Sequence, residues 1–533
     1  MAWISWEKLC QPKSEGGMGF KDLKPFNLAL LAKQGWRLSK NKDSLTHRVF
    51  KAKYFAGCSF LEAQIGKKPS YVWISIMAAK EIVEKGSRWC IGNGKSVEIW
   101  RDRWIPTPDN FQVVTPQGLN GELRKVAQLI DEDTGMWKVD QVRKFFFPHE
   151  ANVILGMPLS SRMPEDSLIW AWSKNGDFTV RSAYKVALKV LKATCLSKDD
   201  GECFDKGKMA GLWKLVWQLK CPNIIKHFLW RACKNILSTN FSLASRKVVS
   251  DNSCGFCGEC ESSSHILWDC VVATDVWRKV GINLPTVKQP MKNFIDVVWL
   301  LKEREGVADW ELFAIATWMI WNNRNNFKHE GRCKESKRIA LEAREYMQDE
   351  KIEHRPLCGS RYQTRSTWCP PRQGSFKVNV DGAVFESLKS CGIGVVIRNE
   401  AGQIMGAMSR FLPLPLGALE VEAKAMEEGI NLAWDLGLWE VEMESDAQVL
   451  VKAINDAALR PSSVLKVVEG IKVGLGSFNQ WSVCHTSRQN NVVAHLMARE
   501  ARSFPECQIW VEDTPPVIAG QVQLDVICED SLS

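Results

Sequence analysis

Three acidic residues stand where strands end or a helix begins. Asp381 closes the alternating run "FKVNVDGA" (Phe376–Ala383). That run reads as a strand, with Phe376, Val378 and Val380 on one face and Lys377, Asn379 and Asp381 on the other. Glu422 lies in the first turns of "ALEVEAKAMEEGINLAWDLG" (Ala418–Gly437), a helix whose buried side includes Val421, Ala425, Ile430 and Ala433. Asp446 ends the strand in "WEVEMESDAQVLVKAI", where a helix begins near Ala447. Each has a plain structural explanation: a turn residue before Gly382, a solvated helix charge, and a helix N-cap. Taken together, a strand-end Asp, a helical Glu and a strand-end Asp are the converging carboxylates that two-metal phosphoryl transfer requires. There, two divalent ions about 4 Å apart activate a water and stabilise the leaving oxygen.

A second group carries metal-ligand spacing. "CGFCGECESSSHILWDC" contains the pair Cys254 and Cys257, then His265, then Cys270. Three thiolates and an imidazole make a tetrahedral set for Zn²⁺, and four protein ligands close the site to catalysis. Cys260 competes for a place, because Cys257 and Cys260 repeat the same spacing. The alternative is a group of reduced thiols with no metal.

Around these groups the chain divides by charge and pattern. From Phe376 to the end there are 12 Lys+Arg and 21 Asp+Glu, so the chain's net charge of +9 is a basic body joined to an acidic end. A phosphate-rich partner suits the first and a metal suits the second. Residues 1–105 are rich in Trp, Gly and Lys, with a helix over Asn27–Lys40 whose Leu28, Leu31 and Leu38 share a face. Arg88–Pro106 reads as a hairpin in which Gly92-Asn93-Gly94 is a turn, since a phosphate loop would need a Lys-Ser/Thr ending and a following helix. Residues 106–210 are irregular and hold a second hairpin, Leu168–Tyr184, turning at Asn175-Gly176, and a polar loop over Leu196–Lys208. Residues 211–330 are helical and aromatic, with Lys226, His227, Arg231 and Lys234 off the apolar face of one helix. Residues 331–373 are a basic helix and a linker, and 374–533 alternate strands and helices with a C-terminal tail. The longest apolar run, Leu312–Trp321, is too short to span a bilayer, and the first ten residues lack signal-peptide features. An intracellular protein, nuclear or cytoplasmic, without membrane partners is expected.

The motifs "KVNVDGA", "EVEAKAMEEG", "EMESDAQVLV" and "SRQNNVVAHLMA" resemble, in order, those of the RNase H domain of plant non-LTR (LINE-type) retroelements. "LWKLVWQLKCPNIIKHFLWRACKNILSTN" with the Cys/His cluster resembles the zinc-binding domain that follows their reverse transcriptase, and "WEKLCQPKSEGGMGFKDLKPFNLALLAKQGWRL" the connection before it. No Tyr/Phe-x-Asp-Asp polymerase motif occurs. The resemblance implies a multidomain chain. A helical, aromatic zinc-binding domain would precede an α/β RNase H-like domain, a mixed sheet flanked by helices. It also implies Mg²⁺ or Mn²⁺ on Asp381, Glu422 and Asp446, structural Zn²⁺, and nucleic-acid partners: RNA–DNA hybrid, with RNA or single-stranded DNA as further options. The activity implied is endonucleolytic cleavage of the RNA strand. The last motif departs from the family, because Asn491 is followed by His495 where the fourth carboxylate usually stands. Imidazole is a poor ligand for Mg²⁺. His485, ten residues earlier, matches the place of a catalytic-loop histidine, a proton-shuttle candidate, although the Gly-rich loop around it is missing.

Overall fold

The computed structural model describes residues 3–107, 110–117, 123–195, 206–282, 293–303, 309–353, 368–456, 459–504 and 507–530. The loop expected over 196–208 and the linker before 374 lie mostly outside them. The chain packs as two compact units, each discontinuous in sequence: Met1–Leu23 with Cys195–Arg361, and Lys24–Thr194 with Tyr362–Ser533. The segment read as one connection, 1–105, is therefore divided between them. Among the described residues, no helix is long and apolar enough to cross a membrane.

The first unit is helical. Leu312–Trp321 lies inside the helix Trp310–Glu330, where Phe313, Ile315 and Ile320 are buried. They share a core with Trp213, Ile225, Phe228, Leu229 and Trp277. The N-terminal residues are fastened to this core, with Trp230 Nε1 donating to the Gly16 carbonyl at 3.0 Å.

The second unit is built on a six-stranded mixed sheet. Its strands are β1 (Phe376–Phe385), β2 (Ser390–Arg398), β3 (Ile404–Leu412), β4 (Glu440–Ser445), β5 (Gln480–His485) and β6 (Gln508–Val511), in the order β6-β3-β2-β1-β4-β5. The first three form an antiparallel meander, whereas β1–β4 and β4–β5 are parallel. Parallel pairing needs crossovers. Helix α1 (Ala418–Asp435) leads into β4, and α2 (Gln448–Asn455) and α3 (Leu465–Leu475) lead into β5. Helix α4 (Val492–Glu500) packs on β1 and β2, and α5 (Pro516–Asp530) packs on α4. The mixed sheet flanked by helices is the architecture implied by the resemblance.

Over residues 377–381 both faces of β1 are buried. Val378 and Val380 enter the apolar core under α1, while Lys377, Asn379 and Asp381 are equally withdrawn from water on the other side. The core under α1 extends past the C-terminal domain: Trp104, Ile105, Leu129, Ile154 and Leu155 join Val421, Ala425, Val467 and Ile471 in one cluster. Lys424 and Glu427 of α1 are buried as a pair at 2.6 Å, and Glu427 also accepts from the Ser160 hydroxyl at 2.6 Å. The two unpaired charges would each be costly there, so the 159–161 segment is part of how α1 is satisfied.

Two expected hairpins are corrected. Ser87–Cys90 pairs antiparallel with Ser167–Trp170, so each segment donates one strand to a shared ladder. After Gly176 the chain enters the helix Val180–Cys195 instead of returning as a strand. The Gly92-Asn93-Gly94 turn holds an anion after all, but an internal one. The amides of Gly92, Gly94 and Ser96 donate to the Asp166 carboxylate at 2.8–2.9 Å. Within Arg88–Pro106 the Trp89 amide donates to the Arg103 carbonyl at 2.6 Å, but Val97 and Ile99 bond to Val126 and Arg124 instead of completing a hairpin ladder.

Candidate metal centres

The parallel pairing of β1 with β4 matches Asn379 to Glu444. Two residues further on come Asp381 in β1 and Asp446 just past the end of β4, which is why residues so far apart in sequence meet. Glu422 approaches from α1. A Cβ at Gly382 would lie 2.7 Å from the Val421 side chain and 3.0 Å from the Glu422 nitrogen, so glycine is needed where the strand meets the helix. One carboxylate oxygen from each of Asp381, Glu422 and Asp446 lies within 4.8 Å of the other two.

The local alternatives do not account for the three residues. The Ala447 amide donates to the Ser445 hydroxyl at 3.1 Å, and α2 has no side-chain cap from Asp446. Asp381 is only 4% exposed, unlike an ordinary turn residue. The buried Oε2 of Glu422 has no hydrogen-bond partner. Burial, then the charges of Asp381 and Asp446, push the Glu422 carboxyl up to about 9. Burial also raises Asp381, and Asp446 adds to this, while a hydrogen bond from His495 opposes it. Three oxygen donors that repel one another, one of them orphaned, fit a hard divalent cation.

His495, in the first turn of α4, places Nδ1 2.8 Å from Asp381 Oδ2. It therefore meets the cluster through Asp381. His485 ends β5, exposed, and pairs in register with Ser445, the neighbour of Asp446. Arg488 lies 3.7 Å from Asp446 but is 81% exposed, so the pair contributes little.

Sequence reasoning missed what stands behind these residues. Asn491 Nδ2 donates to the Val380 carbonyl at 2.9 Å, and Asn379 Nδ2 donates to Asn491 Oδ1 at 3.3 Å and to Glu444 Oε2 at 3.0 Å. The available signal was Asn379 itself, a polar residue one step along the same face as Asp381. Gly394 was missed too: a Cβ there would lie 2.2 Å from the Ala494 carbonyl oxygen, so glycine lets α4 settle on β2.

In the first unit, Cys254, Cys257, His265 and Cys270 bring one ligand atom each within 4.8 Å of the others. Cys257 Sγ lies 3.1 Å from His265 Nε2, and Cys254 Sγ lies 3.9 Å from Cys270 Sγ. The turn His265–Asp269 is π-wound, and the Cys270 amide donates to the His265 carbonyl at 2.7 Å. This wider turn suits a ligand pair five residues apart, which an α-helix would rotate away from each other by about 140°. Cys260 is exposed, bridges Ser253 and stands outside the group. Contact with Cys270 and His265 holds Cys254 well below the usual thiol range, while Cys254 pushes Cys270 up. A thiolate already favoured in the set suits Zn²⁺. The ligand loop is anchored by Phe256, stacked on Phe327 at 4.7 Å, and by Glu261, buried against Arg324.

Residues 178–277 match the family described as zinc-binding in reverse transcriptase, and residues 379–501 match the family described as reverse transcriptase-like. The chain thus carries, in this order, a segment similar to each of these two families. Two relatives come from Arabidopsis thaliana. "Putative ribonuclease H protein At1g65750" is 28% identical over 479 residues, covering 84% of this chain and 72% of that protein. "Uncharacterized mitochondrial protein AtMg00310" is 42% identical over 106 residues, covering 20% of this chain and 69% of that protein. The crystal structure of RNase H1 from Halobacterium salinarum aligns at 23% identity and a TM-score of 0.22, covering 24% of this chain and 98% of that one. Asp381, Glu422 and Asp446 lie in the segment matched as reverse transcriptase-like, and Cys254, Cys257, His265 and Cys270 lie in the segment matched as zinc-binding in reverse transcriptase.

Proposed function

We propose that this chain is an RNase H-like endonuclease that cuts the RNA strand of RNA–DNA hybrids with Mg²⁺ or Mn²⁺. The observation that carries the reading is the convergence of Asp381, Glu422 and Asp446, with Glu422 driven toward its neutral form in the absence of a cation. These three residues would hold the divalent ions, whose chemistry is to activate water and stabilise the leaving oxygen. Glu422 gives up its proton when positive charge arrives. His495 engages Asp381 Oδ2, leaving the other oxygen for the cluster. His485, exposed at the end of β5, is the candidate carrier of protons to and from solvent. Hybrid recognition would rest on A-form shape and 2′-hydroxyls, aided by the basic charge of residues 1–375. Cys254, Cys257, His265 and Cys270 would hold a structural Zn²⁺.

A second reading, a nucleic-acid-binding protein that does not cut, is favoured by one observation. His495 offers nitrogen where the family pattern has a carboxylate, and that nitrogen is turned to Asp381. A labelled RNA–DNA hybrid separates the two. The first reading expects cleavage in Mg²⁺ or Mn²⁺ that falls about 100-fold or more in Asp381→Asn, the scale of losing one electrostatic group of a catalytic site. An intact hybrid in both ions, bound in a salt-dependent way by both proteins, would sink the first reading and favour the second.

A further inference from the structure

Behind the carboxylates lies a buried polar chain that neither domain's proposed chemistry uses. It starts at Arg398, the last residue of β2, which is fully buried. The guanidinium lies 3.7 Å from the centre of the Trp368 ring. One arm pairs with Asp525 of α5 at 2.8 Å, and the other donates to Asn379 Oδ1 at 3.0 Å. Its Nε has no partner. With Asn379 Oδ1 engaged by Arg398, the Asn379 NH₂ group is directed to Asn491 Oδ1 and to Glu444. With Asn491 Oδ1 engaged in turn, its NH₂ group is directed to the carbonyl of Val380, the residue before Asp381. The Asn491 carbonyl accepts the His495 amide at 3.1 Å. Lys377 neutralises Glu444 at 2.9 Å.

An amide side chain has a donor end and an acceptor end, and its orientation is set by its neighbours. We infer that Arg398, clamped by Asp525 of the C-terminal helix and by Trp368, is a positioning residue for the carboxylate site: it sets the amide orientations of Asn379 and Asn491 and so fixes Asp381 against His495. The inference rests on the metal-site reading of the carboxylates. Stability alone is a poor account of Arg398. Burying a guanidinium with an unpaired Nε is costly, and replacing a whole buried ion pair, both partners together, by apolar residues is often neutral or stabilising.

The test uses the full chain carrying Arg398→Met, with Asp525→Asn as a second variant and Val467→Ala, in the core under α1, as a control. Thermal unfolding, Mn²⁺ binding by calorimetry and hydrogen exchange of the amides of residues 491–500 are measured on each. Arg398→Met is expected to lower the unfolding midpoint, because Asp525 and the buried Asn379 oxygen lose their partner, to bind Mn²⁺ about tenfold more weakly, as loss of an outer-shell partner does, and to exchange the His495 amide faster than the destabilised Val467→Ala control does. Asp525→Asn moves both readouts the same way by less. Val467→Ala lowers the midpoint and leaves Mn²⁺ affinity and the His495 amide unchanged. Wild-type Mn²⁺ affinity and wild-type exchange in a folded Arg398→Met would overturn the inference, as would the same result in Asp525→Asn should Arg398→Met fail to fold. If the wild type binds no Mn²⁺, the metal-site reading fails by itself. The exchange of the His495 amide then still decides, faster exchange supporting the positioning role and unchanged exchange overturning it.

Discussion

Glu422 keeps one buried oxygen without a partner beside two aspartates, and its carboxyl is raised from the usual 4.5 to about 9. A folded state that retains a proton the unfolded chain has lost becomes less stable as pH rises through that interval. In the absence of divalent ions, the stability of this protein should therefore fall between roughly pH 5 and pH 9. Glu422→Gln should flatten that fall, and so should Mg²⁺, which stabilises the ionised form. Denaturant unfolding across this range, with and without Mg²⁺, checks the sign. A wild type whose stability rises through the window would refute it. At this scale the sequence was informative about residue identity: strand-end, helical and strand-end carboxylates were recognisable. The commitment of each was not, because a free Asp and a capping Asp are written with the same letter. The helix that follows Asp446 has no side-chain cap, which decides the matter for that residue.

Elements decide whether these side chains meet. Helix α4 carries His495 onto the sheet because Gly394 leaves space where a Cβ would lie 2.2 Å from the Ala494 carbonyl oxygen and 2.3 Å from the Ala498 nitrogen. Both neighbours are backbone, so they cannot swing aside. Gly394→Ala should cost about 1–3 kcal/mol of stability, as overpacking does, and should also lower hybrid cleavage by shifting His495 from Asp381. Chemical unfolding and the cleavage assay together check this; unchanged values in both would mean α4 yields freely. The run "FKVNVDGA" was legible as a strand from its alternation. The depth of its polar face was not, since alternation normally marks one dry and one wet side. Here α4, α5 and Trp368 cover the second side, and Lys377 and Asn379 find partners there. The two hairpins were misread for a related reason. Local turn signals at Asn93-Gly94 and Asn175-Gly176 cannot reveal that Asp166 fills the first turn or that Ser87–Cys90 prefers Ser167–Trp170.

On the scale of the whole molecule, the RNase H-like domain shares its core with residues near 91–159. A fragment of residues 368–533 would leave Glu427 and the outer side of α1 without Ser160 and its apolar neighbours. It should bind a hydrophobic dye and unfold without cooperativity, and co-expression of residues 24–194 should restore a sharp transition. A fragment that unfolds sharply by itself would show that the shared core is dispensable. The unit that carries the thiol–imidazole cluster has a core of its own. Cys270→Ser should lose bound zinc and lower the melting transition of that unit, whereas Cys260→Ser should keep wild-type zinc content, both read by metal analysis and calorimetry. Loss of zinc in Cys260→Ser would reassign the fourth ligand.

The sequence by itself determined the order of chemistry-bearing residues: two metal-type clusters, their ligand types, and the strand and helix that present Asp381 and Glu422. Those properties are local, written in residue type, spacing and periodicity. Only the tertiary structure decided that Cys260 stands outside its cluster, that Asp381 faces His495, that Arg398 and Asp525 stand behind Asn379, and that the N-terminal region completes the core of the C-terminal domain. These depend on strand register and on which distant segment covers which face. Both are set by the summed burial of apolar surface and the pairing of buried polar groups across the whole chain.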